Sequence, residues 1–376
     1  MKLLIISHTP HYLDSGIIKG WGPTLREIDH LATVFEEVIH VAPIYKRTAP
    51  ESSLAYRASN VRLRGVTPAG GAGLLAKLGI LVHAFNYVRV ILSELRRADV
   101  VHVRCPANIP LMAVILLAFR KSPQKRWIKY AGNWNPDGQE AWSYTFQRWW
   151  LRRNFARAKV TVNGEWENQP HHIHTFFNPC LTDKEIQEAQ QAASDREFTT
   201  PLRLLFVGNL NTPKGVGRAL EILAQLQKIG IDATLDLIGD GEERQSFENQ
   251  AEQLGIKDLV TFHGWIPRTA LGEYYRNAHF LLFPSGSEGW PKVISEAMAY
   301  GVVPIASAVS SIPQYLAQFG VGKAIPPTAV KQFVDAIQEY VRNPQSWRVE
   351  SQKAQQAAEL FTYRRYLERV KVLLEL

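Results

Sequence analysis

Two carboxylates eight residues apart, Glu288 and Glu296, lie in the segment PSGSEGWPKVISEAMAYG, Pro284–Gly301. The apolar run HFLLF ends just before it, so the segment reads as a strand, a loop of small residues and a helix. Pro291 suits the first helical turn, where its missing N–H costs nothing, and Gly301 suits the helix end. The backbone around Gly289, Trp290, Pro291, Lys292 and Val293 then offers free amides at the positive end of a helix dipole, a geometry that binds an anion or hydroxyls. Glu288 stands at the mouth of that helix. Glu296, inside it, can accept hydrogen bonds from a diol. Two acids alone also fit a plainer arrangement, a helix-start carboxylate and a surface one, because acids favour helix N-termini.

A second segment has related chemistry. LRLLFVGNLNTPKGVGRAL, Leu202–Leu220, reads as a strand, a glycine turn and a helix after Gly215. Lys214, just before that helix, can neutralise a diphosphate with help from the helix N-terminus. A glycine loop with one lysine is also an ordinary turn.

Taken whole, Pro284–Gly301 resembles the Glu-x7-Glu signature of retaining glycosyltransferases of the GT-B fold, family 4 in particular. The match runs through Pro284, Ser285, Glu288, Gly289, Pro291, Glu296, Ala297, Met298, Ala299 and Gly301, with Trp290 at the aromatic position. The resemblance implies that Glu288 and nearby amides hold the donor sugar and that Glu296 holds the ribose hydroxyls. Gly208, Leu210, Lys214 and Gly215 resemble the family's phosphate loop, in which Asn209 replaces an arginine; Arg218 and Lys292 are the candidate substitutes. Leu235–Glu243 and Val260–Pro267, with Gly264, resemble segments that flank and read the nucleobase. Met1–Ser7 followed by Gly16, Gly20, Trp21 and Gly22 resembles the first strand and glycine-rich loop on the acceptor side. Arg104 and Asn133 are further acceptor-side candidates, Arg104 equally a salt-bridge residue. Ser310–Gln314 departs from the family's Gly-Gly-x-x-Glu, and Asn133 stands near a place where many members have a histidine; His102 is no equivalent.

These residues need a scaffold that presents loops at strand ends. Apolar runs at Leu3–Ser7, Val38–Ala42, Val100–Arg104, Trp127–Tyr130 and Val160–Val162 read as strands. So do Leu202–Val207, Thr234–Ile238, Val260–Phe262, Phe280–Phe283 and Val303–Ala306. Continuous runs of this length suit strands covered on both faces. Helical periodicity links Leu74, Leu78, Leu81, Phe85, Val88, Leu92 and Leu95 in one stripe. Further helices are expected at Val216–Ile229, Glu242–Leu254, Val293–Tyr300 and Ala329–Val341. Alternation of the two patterns predicts an α/β chain of two doubly wound parallel sheets. The expected domains are 1–182 and 183–360, with Asp183–Thr200 as linker, and the last helix, about 361–376, crosses back to the first domain. In the GT-B arrangement the two Rossmann-like domains face each other across a cleft, with ligands beyond the strand ends.

The chain has 376 residues, 46% hydrophobic and 21% charged, which excludes a disordered protein. Two cysteines cannot form a disulfide framework and fit a reducing cytoplasm. No signal-peptide core and no spanning helix are expected. The net charge of +8 is uneven: residues 1–182 hold 23 Lys/Arg against 12 Asp/Glu, and residues 183–376 hold 20 against 23. The basic half includes Ala141–Lys159, where Trp142, Phe146, Trp149 and Trp150 interleave with Arg148, Arg152, Arg153 and Arg157. That mixture fits a membrane interface, or a helix docked on its domain with arginines in solvent. His171, His172 and His174 lack the partners of a zinc site, and no recognised nucleic-acid module is present.

The resemblance implies a retaining transferase that moves a sugar from a nucleotide-diphosphate sugar, a UDP-sugar in particular, to an acceptor hydroxyl without a metal or other cofactor. Glycolipid or surface-polysaccharide synthesis is the expected setting, in the cytoplasm or at the cytoplasmic membrane face, with a lipid-linked or glycan acceptor. Asn209 and the missing histidine motivate two alternatives, a catalytically silent nucleotide-sugar-binding subunit and a GT-B epimerase or hydrolase.

Overall fold

The computed structural model describes residues 1–68, 74–136, 138 and 140–376, with backbone alone for 74–81. The chain divides into two compact units, Met1–Phe176 with Arg365–Leu376, and Phe177–Arg364.

The first unit contains β1 (Lys2–Ile6), β2 (His11–Asp14), β3 (Ile17–Trp21), α1 (Gly22–Ala32), β4 (Glu37–Tyr45), β5 (Ser53–Ala55), β6 (Val61–Val66) and α2 (Leu74–Leu95). It continues with β7 (Val100–Cys105), α3 (Asn108–Ala118), β8 (Lys125–Tyr130), α4 (Trp142–Arg152), β9 (Lys159–Val162) and β10 (Ile173–Thr175). The parallel strands run β10-β9-β8-β7-β1-β4, with β6 also paired to β4. Leu4, Ile6, Val101, Val103, Ile128 and Val160 fill one side of this sheet and Leu3, Ile5, Val100 and Trp127 the other. This two-faced burial is why those strands read as unbroken apolar runs.

The expected glycine-rich loop after β1 is instead an antiparallel ribbon. Asp14 and Ile17 pair across a turn at Ser15 and Gly16, both with positive φ, and Gly20 lies inside β3. These strands are short and partly exposed, with His11, Asp14 and Lys19 among their residues, so they lack the buried apolar run that marks the others. In α2 the stripe turns out differently. Tyr87, Val90, Ile91 and Leu95 are buried, Val88 and Leu92 are half-buried, and Val82 and Phe85 are exposed. The side chains of Leu74, Leu78 and Leu81 lie outside the described residues.

The second unit contains α5 (Asp183–Ala192), β11 (Leu202–Val207), α6 (Val216–Lys228), β12 (Ala233–Ile238), α7 (Arg244–Gln253), β13 (Val260–Gly264), α8 (Leu271–Asn277) and β14 (Phe280–Phe283). It continues with α9 (Lys292–Ala299), β15 (Val303–Ser307), α10 (Ile312–Phe319), β16 (Lys323–Ile325), α11 (Val330–Arg342) and α12 (Pro344–Ala358). A last helix, α13 (Tyr363–Leu374), follows, and from Arg365 on it belongs to the first unit. There Tyr366, Val370, Leu373 and Leu374 pack with Leu3, Ile5 and Trp127. Asp183–Thr200, expected as a linker, starts with α5. Thr182 and Glu185 form a capping box, and Ile186 and Ala189 are buried, which is enough to hold a polar helix in place.

The second sheet is wholly parallel, in the order β13-β12-β11-β14-β15-β16. Counting outward from β11, the strand order reverses between β11 and β14. In a doubly wound sheet that switch point is where the loops after two neighbouring strands part and leave a crevice for ligand. Among the described residues no helix is long and apolar enough to cross a membrane.

Candidate functional site

The loops after β11 and β14 flank the switch point and carry Lys214 and Glu288. The β11 loop closes as a tight turn: Asn211 caps Thr212–Lys214, its Oδ1 accepting from the Lys214 amide at 3.0 Å. Gly215 follows with φ +84° and opens α6. A Cβ there would sit 2.1 Å from the Pro284 carbonyl oxygen, so only glycine lets the two loops approach. Three further contacts join them. The Gly286 amide donates to the Pro213 carbonyl at 2.8 Å. Arg218 donates to the Pro284 carbonyl through Nε at 2.9 Å and Nη2 at 2.6 Å. Lys214 Nζ meets Glu288 Oε1 at 2.5 Å. Ser285 Oγ donates to the same carboxylate oxygen at 2.8 Å.

Arg218, a candidate for the absent loop arginine, is thus turned onto Pro284, and Asn209 is exposed. Gly208 donates to the Ile238 carbonyl at 2.9 Å, and Gly264, at φ +72°, accepts from the Gly239 amide at 2.8 Å. These bonds hold the ends of β11, β12 and β13 in one row.

Pro291 is the N-cap of α9, one position earlier than its expected place. Gly289, Lys292 and Val293 are half-buried at this helix start, whose first amides have no intrahelical acceptor. Trp290 is a different case. Its ring is buried, stacks on Phe361 at 5.2 Å and donates Nε1–H to Ser295 Oγ at 2.8 Å. Its side chain is therefore core and does not face a donor.

Glu296 is buried in α9 and already engaged. Arg268 Nη1 pairs with its Oε1, and Tyr275 OH donates to Oε2 at 3.2 Å. Arg268 also meets Glu185 Oε1 at 3.3 Å and donates to the Cys180 carbonyl at 2.8 Å. Burial opposes the Arg268 charge, but Glu296 and Glu185 outweigh it and raise its pKa. Burial, reinforced by Glu296, holds the Tyr275 hydroxyl well above its usual range. A carboxylate has about four acceptor sites, and Arg268 and Tyr275 take two of those of Glu296. No sequence signal points to Arg268 or Tyr275, which lie 28 and 21 residues from Glu296. Ser285 was visible as the serine three residues before Glu288.

The acceptor-side candidates lie in the first unit. Gly20 packs against His11, where a Cβ would fall 2.7 Å from the ring. Trp21 is exposed as the N-cap of α1, and Gly22 begins that helix, its amide donating to the Ser52 carbonyl. Asn133 accepts from the Asn135 amide. Arg104 is a salt-bridge residue: it grips Glu27 at 2.7 and 3.2 Å, and Lys129 and Tyr366 each reach the same fully buried carboxylate at 2.7 Å. His102 is buried, stacked on Trp127 at 3.7 Å. Beside it a one-way relay runs through the unit. The Thr9 carbonyl can only accept, so His11 donates through Nδ1 and accepts from Tyr56, which accepts from His40, which accepts from Ser7.

Residues 187–359 match the family described as glycosyl transferases group 1. An uncharacterized glycosyltransferase of Haemophilus influenzae is 30% identical over 173 residues, 46% of this chain and 48% of that one. The lipopolysaccharide 1,6-galactosyltransferase of Salmonella typhimurium is 29% identical over 148 residues, 39% and 41% of the two chains. The chain thus spans less than half the length of these curated relatives. Among solved structures, sucrose-phosphate synthase from Thermosynechococcus elongatus superposes with TM-score 0.73 over 100% of this chain and 98% of that one, at 18% identity. Anabaena HepE, solved with UDP and glucose, gives 0.68 over 100% and 99%, at 15% identity. At such identity the likeness speaks for the fold, which is GT-B, and the second unit of this GT-B chain carries a glycosyl transferases group 1 segment.

Proposed function

We propose that the chain is a family 4, retaining glycosyltransferase that moves a hexosyl or related sugar from a nucleotide-diphosphate donor, a UDP-sugar in particular, to an acceptor hydroxyl. The observation that carries this reading is the pairing of Lys214 with Glu288 at the switch point, between the N-terminal ends of α6 and α9. As the bond from sugar to diphosphate breaks, negative charge grows on the leaving phosphate. Lys214 and the two helix ends are preorganised to stabilise it. Before donor binds, Glu288 neutralises Lys214; once the diphosphate occupies Lys214, the Glu288 carboxylate is released to the sugar hydroxyls. Glu296 takes the ribose diol, while Arg268 and Tyr275 fix its orientation. The acceptor hydroxyl attacks from the side of the departing phosphate, which receives the proton, and the anomeric configuration is kept.

The name of the Salmonella relative supports an acceptor in glycolipid or surface-polysaccharide synthesis, with the enzyme working at the cytoplasmic face of a membrane. Incubation with a panel of nucleotide sugars and glycan or lipid-linked acceptors tests the reading. Transfer with a retained anomeric centre supports it. Hydrolysis or epimerisation without acceptor, or binding without turnover, rejects it. Ligands are found first by thermal shift, since a true ligand at about 100 times its Kd adds about 2.7 kcal/mol.

A further inference from the structure

We propose that an exposed aromatic and basic face of the first unit, formed by α4 and the end of α3, seats the protein on an anionic lipid bilayer. The helix α4 does not dock by its tryptophans alone. Gln147, Arg148 and Leu151 form its buried side. Gln147 accepts from the Ala107 amide at 3.2 Å, and Arg148 donates to Tyr130 OH at 3.0 Å and pairs with Glu140. The opposite side exposes Trp142 (77%) and Trp149 (46%), seven residues apart and so on one helix face. Phe146 contacts both rings, and Phe155 (41% exposed) extends the row from Trp149 at 5.4 Å. Arg126 Nη1 bridges the Leu117 and Ala156 carbonyls, both at 2.8 Å, which ties the end of α3, where Phe119 is 80% exposed, to the segment after α4.

Rings of this size are normally buried or seated where one side is apolar and the other wet. The charges around them have one sign. Of the five cations in Ala141–Lys159, Arg148 pairs with Glu140 and Lys159 with Glu375, which leaves Arg152, Arg153 and Arg157 exposed beside the rings. A second copy meeting this face about a two-fold axis would set like charges against each other. A bilayer with anionic headgroups complements both features, taking the rings at the interface and the arginines at the phosphates. The face belongs to the first unit and the donor-site candidates to the second. Only the lipid-linked nature of the acceptor rests on the function proposed above.

The test is co-sedimentation of the full chain with vesicles of phosphatidylcholine, with and without phosphatidylglycerol, read together with tryptophan emission. Binding should require phosphatidylglycerol, shift the emission to the blue and weaken as salt rises. The double change Arg153→Gln/Arg157→Gln should lower partitioning about 5-fold per residue. Trp142→Ser/Trp149→Ser, at exposed positions, should lower it about tenfold or more without loss of fold. Arg148→Gln, at the buried position, should lower the melting temperature and leave partitioning of the folded protein unchanged. Nucleotide binding should persist in the two double variants, so failure here is distinguishable from failure of the transferase reading. The proposal is overturned if the wild type ignores phosphatidylglycerol vesicles at low salt, binds neutral vesicles equally, or binds as well after either double change. Lipid-free self-association that the tryptophan changes abolish would equally overturn it, making the face a protein interface.

Discussion

Gly215→Ala tests whether loop approach builds the site. Two costs can be separated. The position has φ +84°, and a left-handed backbone with a Cβ costs about 1–2 kcal/mol. The Cβ would also lie 2.1 Å from the Pro284 carbonyl oxygen, a backbone atom that cannot rotate aside. Overpacking of that kind costs about 1–3 kcal/mol, and the stiffer unfolded chain returns about 0.4–1 kcal/mol. The net loss is about 3 kcal/mol, or roughly 6–12 °C in melting temperature at the 2–4 °C per kcal/mol expected for a unit of this size. Relief of the clash moves the Pro284 loop by about 1 Å, and with it Glu288; a misplacement of that size costs about 10²-fold in rate. Gly230→Ala is the control, because φ is +78° there and nothing lies within 4 Å of the new Cβ. Calorimetry and donor turnover on both variants read out the difference. If the two melt alike and turn over alike, the packing of the β11 and β14 loops does not position the site.

Other outcomes follow from the same geometry. Arg268→Gln leaves Glu296 buried without its cation, so nucleotide affinity should fall more than kcat, and Arg268→Lys should restore part of it; unchanged calorimetric affinity would show that Glu296 needs no such support. Glu288→Gln should harm turnover more than nucleotide binding and Glu296→Gln the reverse; an exchanged pattern would mean the two roles are swapped. Burial lowers the His279 pKa from 6.5 to about 4, and its Nδ1 accepts from the Arg203 amide. The unfolded chain therefore takes up a proton first, and stability present above about pH 6.5 should fall as pH drops toward about 4. The share of His279 is ~2 kcal/mol between about pH 7 and about pH 5; buried His11, His40 and His102 act with the same sign, so that share is read as the difference between the urea-midpoint profiles of wild type and His279→Gln, and parallel profiles would show that His279 carries no such linkage.

The central strands were legible because each lies under helices on both faces, so runs such as Leu202–Val207 and Phe280–Phe283 contain little polar interruption. The ribbon of β2, β3 and β5 was not, since partly exposed strands of three to five residues have no continuous buried run to show. α5 was readable only from its capping box, Thr182 to Glu185, inside a stretch otherwise polar. At the site, Lys214 and Glu288 each stood out locally, but their pairing spans 74 residues and depends on the strand order placing β11 beside β14. Trp290 shows the opposite limit: its place in the motif suggested a ligand contact, while its ring completes the core with Phe361. Arg148 likewise looked like a surface cation from its neighbours and is buried by its bonds to Tyr130 and Glu140.

The most direct test of the account is the transfer rate of Lys214→Ala at saturating nucleotide sugar, compared with wild type. Lys214 is the cation at the switch point that the leaving diphosphate would meet, so its removal should lower transfer by ~10²–10³ while the protein stays folded. Near-normal transfer by that variant would contradict the account.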